Sequence, residues 1–447
     1  MNNPTRRDIV RLFSLLGVGH AAQQLFSPAQ LLAQAQATAG DYRALVCVTL
    51  DGGCDSNNLV VPLQADQYAS YKAARPDLAI PQASLLPIMT GTGEAYGINP
   101  ALPSIASLYD SGKCAIIANT GPLKQPLTVQ AYNSTPAAVP TNLMNHELQR
   151  VQWGTCYTDT SAAAATHTGW GGRMADALQA YSSGSYPIIT SLANGLEESF
   201  CYGVTAYPAF LSPGATAFAD SPYRSLQAFA KMSSGSTLIS AANDGMRAAY
   251  QQDLALRSAL AGSSPLKTQF PSSTLGAQLQ EVATLMAARG SLGLQRQVFL
   301  VQQGGFDSHQ FQLNNDATPL AELDAAISAF QAALEELGLS KQVLMFTTTD
   351  FNRTLKENSS LGTEHAWGGH QFVIGSAIKA ADLIGTFPQL TLNGPDDYYQ
   401  GWGSWIPTTS VDQYGATLAS WMGVPDSALD GLFPNLRNFT TRKLRFV

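Results

Sequence analysis

A chain of 447 residues is long enough to bury a large core. Its formal net charge of −7 and lack of any basic run remove the Lys/Arg-to-phosphate contacts on which nucleic-acid binding depends. With 45% hydrophobic and 13% charged residues the composition is that of a globular protein. Beyond the N-terminus no stretch has the continuous apolar length to span a bilayer.

The N-terminus reads as an export signal. Thr5-Arg6-Arg7-Asp8-Ile9-Val10-Arg11 precedes the weakly apolar Leu12–Val18 and the small-x-small sequence Ala-Gln-Ala-Gln-Ala at 33–37. Charged region, short apolar region and cleavage site follow the signal-peptide grammar, and the paired arginines point to the twin-Arg export machinery. Residues 1–37 are therefore expected to be removed, with a mature chain starting near Gln36 or Thr38, periplasmic or secreted. His20 belongs to that signal.

Ala44–Leu50 is a continuous apolar, β-branched run, the pattern of a strand covered on both faces. It ends in the turn-forming Asp51-Gly-Gly-Cys-Asp-Ser-Asn-Asn58. Gln67–Ala74 and Pro103–Ser111 read as helices, and Cys114–Asn119 as a second buried strand. Thr141–Trp153 reads as a short helix with Thr141 or Asn145 as N-cap. Gly169–Leu178 is helical, Pro187–Ala193 a strand, and the stretch near 195–240 an irregular insertion. Helices are expected over Leu238–Leu260 and Leu275–Arg289, then a strand over Gln297–Gln302 ending in Gly304-Gly-Phe-Asp307-Ser-His309. A helix over Leu320–Leu337 leads to a strand over 342–347 ending at Asp350, followed by a polar loop, the strand Gln371–Ile378 and the helix Val411–Met422. No repeat or linker divides residues 38–447, which fits one domain. Of the five cysteines, Cys47 and Cys114 fall in strands as buried thiols, and Cys156 and Cys201 are the candidates for a disulfide.

Three buried strands thus each end in a carboxylate: Asp51 and Asp55, Asp307, and Asp350. Helices intervene, so the strands are expected to be parallel with their carboxyl ends along one sheet edge, where open α/β folds place their sites. Asp307 and His309 share one face of an extended segment. Glu364, His365 and His370 arrive on the following loop, although the chain has only six histidines. So many acids in one cleft need cations, and mixed His/Asp/Glu ligation suits one or two divalent ions of zinc, manganese or iron. Arg353 is placed to hold an oxyanion with its planar fork. His146, on an apolar helix face, fits a site residue or a structural hydrogen-bonder, and His167 is read as structural.

The motifs Asp51–Pro62, Gly305–His309, Asp350-Phe-Asn-Arg-Thr354, Gly362–Gly369 and Ile406–Tyr414 resemble those of a secreted family of unknown function numbered fifteen-oh-one, over nearly the whole mature chain. That family is placed, at low similarity, with alkaline phosphatases and sulfatases. The resemblance implies an α/β, alkaline-phosphatase-like three-layer sandwich, a large mostly parallel sheet between helices. It implies metal positions at Asp55 or Asp51, Asp307, His309, Asp350, His365 and His370. With the export signal and the strand-end carboxylates beside His309 and His365, the expected function is an exported metal-dependent hydrolase of phosphate or sulfate esters on small molecules or polysaccharides. The alternative is a non-catalytic exported binding protein that keeps the fold. The chain departs from the family at Asn145-His146, where Ser-His is usual, which makes Thr141 or a water the candidate nucleophile. It also departs at Asp350 and Glu364, where Glu and Asp are usual, a change that would compensate across one metal.

Overall fold

The apolar run at 43–50 forms β1 (Arg43–Leu50), whose residues are all buried after the first. The computed structural model describes residues 41–184, 186–193, 196–213, 237–262, 264–379, 382–399 and 401–447. The expected export signal lies outside them, as do residues 214–236 of the expected insertion. β1 has β8 (Arg296–Gln303) on one side and β9 (Val343–Thr349) on the other, both parallel to it. Being central and covered, each of the three carries a continuous apolar run, Ala44–Val48, Val298–Val301 and Val343–Phe346, rather than an alternating pattern.

The remaining strands are β2 (Val60–Pro62), β3 (Leu86–Met89), β4 (Ala95–Ile98), β5 (Cys114–Gly121), β6 (Ile189–Ser191), β7 (Ala209–Phe210), β10 (Arg353–Glu357), β11 (Thr363–His365), β12 (Gly369–Ile374), β13 (Leu383–Ile384) and β14 (Thr409–Ser410). The main sheet runs β13-β5-β12-β9-β1-β8-β6-β7, with β14 also on β5. It is parallel except where β12 runs antiparallel to β5 and β9. β7 extends the sheet edge from within the stretch expected as an insertion.

Helices flank the sheet: α1 (Ser56–Leu59), α2 (Ala65–Ala74), α3 (Pro103–Asp110), α4 (His146–Thr155), α5 (Trp170–Ala177), α6 (Thr237–Ala261), α7 (Thr274–Ala287), α8 (Gln312–Glu336) and α9 (Val411–Met422). Trp170 of α5 and Tyr414 of α9 pack their rings on Phe346 of β9. The Asp324 carboxylate of α8 accepts from the Ser104 and Ile105 amides at the start of α3, tying those helices together. The fold is mixed α/β, a large mostly parallel sheet flanked by helices.

Three expectations need correction. α4 begins at His146, with Asn145 rather than Thr141 as its cap: the Asn145 side chain accepts from the Leu148 amide. α8 begins at Gln312 rather than Leu320, and Pro319, a residue that ordinarily breaks a helix interior, sits within it. Cys156 and Cys201 are buried thiols and form no disulfide. Among the described residues no helix is long and apolar enough to cross a membrane.

Candidate metal centre

Leu50 pairs with Gln303 on one side and Thr349 on the other. The three strands therefore end level, and the segments that follow them meet. Gly52 and Gly53, at φ +109° and +82°, fold the chain after β1 back over the sheet edge. A side chain at Gly52 would meet the Asp307 amide, so the two turns touch by backbone.

Four residues converge there. The Asp307 carboxylate lies with Oδ2 3.6 Å from His146 Nε2, and with Oδ1 3.2 Å from His309 Nε2 and 3.8 Å from His365 Nε2. His309 Nε2 and His365 Nε2 are 2.9 Å apart. One ligand atom each from His146, Asp307 and His365 lie within 4.8 Å of one another, the group among the described residues with the spacing to hold an ion. His309 stands against two of its members.

Each imidazole has its other nitrogen engaged. His365 Nδ1 lies 2.9 Å from the Met144 carbonyl, His146 Nδ1 2.6 Å from Asp350 Oδ2, and His309 Nδ1 3.1 Å from Glu364 Oε2. A carbonyl only accepts, so His365 carries its proton on Nδ1; the two carboxylates favour the same tautomer in the others. The three Nε2 lone pairs then face one another and an anionic oxygen, with Arg353 Nη1 3.4 Å from His309 Nε2, a donor set with the spacing to hold an ion. Two nitrogens bound at about 2.05 Å on a tetrahedral zinc would be roughly 3.3 Å apart, close to the His309–His365 separation. Imidazoles held from behind by carboxylates or carbonyls are the usual form of such ligands.

The chain arranges this locally. Met144, at φ +63°, occupies the left-handed region without being glycine, and that turn aims its carbonyl at His365. His146 opens α4 directly after the Asn145 cap. His365 ends β11, which pairs antiparallel with β10 so that Arg353 stands opposite it. Glu364 is fixed by Asn358 Nδ2 at 2.7 Å. Burial pushes the His365 imidazolium pKa down, Arg353 and the other two histidines push it further, and the Met144 bond only partly offsets them. Burial alone would raise Asp307, but the Arg353 hydrogen bond and charge, with His146 and His309, hold it below the usual carboxylate range. Both shifts favour the forms that ligate metal. Burial raises Asp350, against its bond to His146 and the charge of Arg150. Its Oδ1 is buried without a partner.

Several expected site residues are placed otherwise. Asp55 caps α1, is ion-paired to Arg75 at 2.7 Å and accepts from Gln312 at 2.5 Å; it is a structural anchor outside the His146–Asp307–His365 group. His370 lies on β12, accepting from the Asn119 amide through Nδ1 and stacked on Phe387, and burial lowers it to about 3. Asp51 is held by Arg150 at 2.7 Å and Gln302 at 2.9 Å. Asp350 and Glu364 stand behind two different imidazoles, so they do not exchange lengths across one ion. Arg353 is fully buried, with its fork given to the Gly52, Gly53 and Thr363 carbonyls and to Asp307; it braces the site instead of reaching a substrate. The Thr141 hydroxyl donates to the Thr158 carbonyl and accepts from the Thr160 amide, committed away from the histidines.

Sequence reasoning missed Arg150. It follows His146 by four residues on α4, the spacing that puts two side chains on one helix face, and this was the signal available. Its Nε lies 3.4 Å from Asp350 Oδ2 and donates to the His146 carbonyl at 3.2 Å.

Residues 42–399 match the family described as protein of unknown function (DUF1501). The chain belongs to this family. No curated protein matches it. Among solved structures it is similar to the lipoteichoic acid synthase LtaP from Listeria monocytogenes, at 8% identity and TM-score 0.36, covering 89% of this chain and 78% of that one. It is also similar to the C-terminal periplasmic domain of EcEptC from Escherichia coli in complex with Zn, at 8% identity and TM-score 0.34, covering 88% and 85%. The PsFucS1 sulfatase from Pseudoalteromonas sp. gives 12% identity and TM-score 0.33, covering 90% and 73%.

Proposed function

We propose that this protein is an exported, metal-dependent hydrolase of phosphate or sulfate esters, working in the periplasm or outside the cell. The observation that carries the reading is the convergence of three Nδ1-anchored imidazoles on Asp307 at the carboxyl ends of the sheet. His146, Asp307 and His365, with His309 beside them, would hold a zinc, manganese or iron ion. Such an ion supplies Lewis acidity to an ester oxygen and to a water. The side chains keep that donor set in shape: Asp350, Glu364 and the Met144 carbonyl fix the three rings, and Arg353 fixes Asp307. With Thr141 turned elsewhere, water is the nucleophile. The cleft is open to substrate, since the Asp307 side chain is 53% exposed and that of His309 41%.

Metal analysis after reconstitution with zinc, manganese and iron tests this directly. Stoichiometric uptake, lost in His365→Ala and Asp307→Ala, is expected; under about one-tenth equivalent of every metal removes the proposal. The second reading, a non-catalytic exported binding protein with a structural metal, is favoured by the internal use of Arg353 and Thr141. Hydrolysis of any phosphate or sulfate ester in a panel, abolished by His146→Ala in folded protein, would dismiss it.

A further inference from the structure

The acidic residues along this sheet edge are numerous enough for two ions, yet two of them are already bridged. Arg150 Nη1 sits 2.7 Å from Asp51 Oδ1, and Arg150 Nε sits 3.4 Å from Asp350 Oδ2. The two acids adjoin through backbone as well: the Gly52 amide donates to Asp350 Oδ2 at 3.3 Å. Asp51 Oδ2 accepts from Gln302, and Asp350 Oδ2 is also met by His146. The guanidinium is held from its own helix by the His146 carbonyl.

We infer that the centre takes a single divalent ion, and that the Arg150 guanidinium occupies the place in which Asp51 and Asp350 would otherwise hold a second. The inference rests on the metal-centre reading above. Formal charge supports it. Four carboxylates (Asp51, Asp307, Asp350, Glu364) meet two guanidiniums (Arg150, Arg353), a deficit of two that one divalent ion cancels. A second ion would leave the same group with an excess of two positive charges in a partly dehydrated cleft. Asp55 does not alter the count, being matched by Arg75. Asp316 accepts from the Ser308 hydroxyl and stands outside the four carboxylates counted. A covalently attached cation also has no dissociation to oppose, so a free ion must displace it, breaking its contacts to both carboxylates.

The proposal makes Arg150 a positioning residue that sets metal number. The test is cobalt and zinc titration of the whole protein, read by calorimetry and by elemental analysis after dialysis. Wild type should retain one equivalent, and its cobalt form should give the electron paramagnetic resonance of an isolated high-spin ion. Arg150→Gln, which removes the charge but keeps hydrogen bonding, should bind a second, weaker equivalent and show cobalt–cobalt coupling. Arg150→Lys should stay at one. Should Arg150→Gln fail to fold by circular dichroism, wild-type stoichiometry and Asp51→Asn decide: one equivalent in both, with affinity within about threefold, supports the inference. Two equivalents of comparable affinity in the wild type overturn it, as does a folded Arg150→Gln that stays at one. No equivalents in the wild type would instead fell the metal-centre reading beneath it.

Discussion

Asp350→Asn separates a residue that holds a ligand from one that is itself a ligand. Asp350 is fully buried and meets His146 Nδ1 at 2.6 Å through one oxygen. Asparagine is nearly isosteric and can still accept from that nitrogen, so the ring keeps its tautomer while losing the charge that strengthens it as a donor. Partners of this kind are worth about 10- to 100-fold in metal affinity, or roughly 1.4–2.7 kcal/mol. Because the acceptor survives, Asp350→Asn should fall near the lower bound and Asp350→Ala near the upper. The metal-free protein should behave differently. The change removes a buried charge, while Arg150 retains Asp51, so its thermal midpoint should not fall by more than about 2 °C. The assay is zinc competition against a chromophoric chelator, paired with a melt of the metal-free protein. An affinity unchanged within twofold in both variants would refute the argument, and so would a complete loss of binding in Asp350→Asn.

Two further outcomes follow from packing and from pH. Gly52→Ala places a Cβ 2.5 Å from the Asp307 amide at φ +109°, so urea denaturation should show a loss of at least about 2 kcal/mol together with weakened metal binding; a variant equal to wild type in both would contradict the backbone contact between the two turns. Burial raises Asp316 from 3.8 to about 7, against its bond from Ser308. The native state thus holds this proton more tightly than the unfolded chain, and stability relative to Asp316→Asn should fall as pH rises from about 4 to about 7 and then level off. Denaturation at pH 5 and pH 8 should show Asp316→Asn gaining on wild type by roughly 1–3 kcal/mol between them, and parallel curves would count against it.

The sheet was legible because its central strands are covered: β1, β8 and β9 each hold a continuous apolar run of four or five residues, and an acid follows each strand. That reading carries Asp51, Asp307 and Asp350 to one edge, as observed. It cannot distinguish Asp51 from Asp55, since both lie in one Gly-rich turn and the choice depends on Arg75, a residue of the turn after α2 that no local pattern links to Asp55. His370 follows a second ligand-like histidine by five residues, but β12 runs back into the sheet and buries it against Asn119. Arg353 looked like an anion fork because its place in the chain is right. What it grips are carbonyls of the Gly52-Gly53 turn, whose direction depends on positive φ angles invisible in composition. His146 was ambiguous until the fold put its helix terminus across from β9. Arg150 then follows from helical spacing alone.

The in-register ends of β1, β8 and β9 also constrain when the centre can exist. β1 is made early in the chain and both its neighbours late, and β11, which bears His365, comes later still. No fragment lacking the last third of the polypeptide has Asp307, His146 and His365 together. On the metal-centre reading, an ion would meet its full donor set only once segments from the last third of the chain have joined α4, unlike in small metal-knit domains whose ligands are close in sequence. Ion retention would then report that these distant segments have come together.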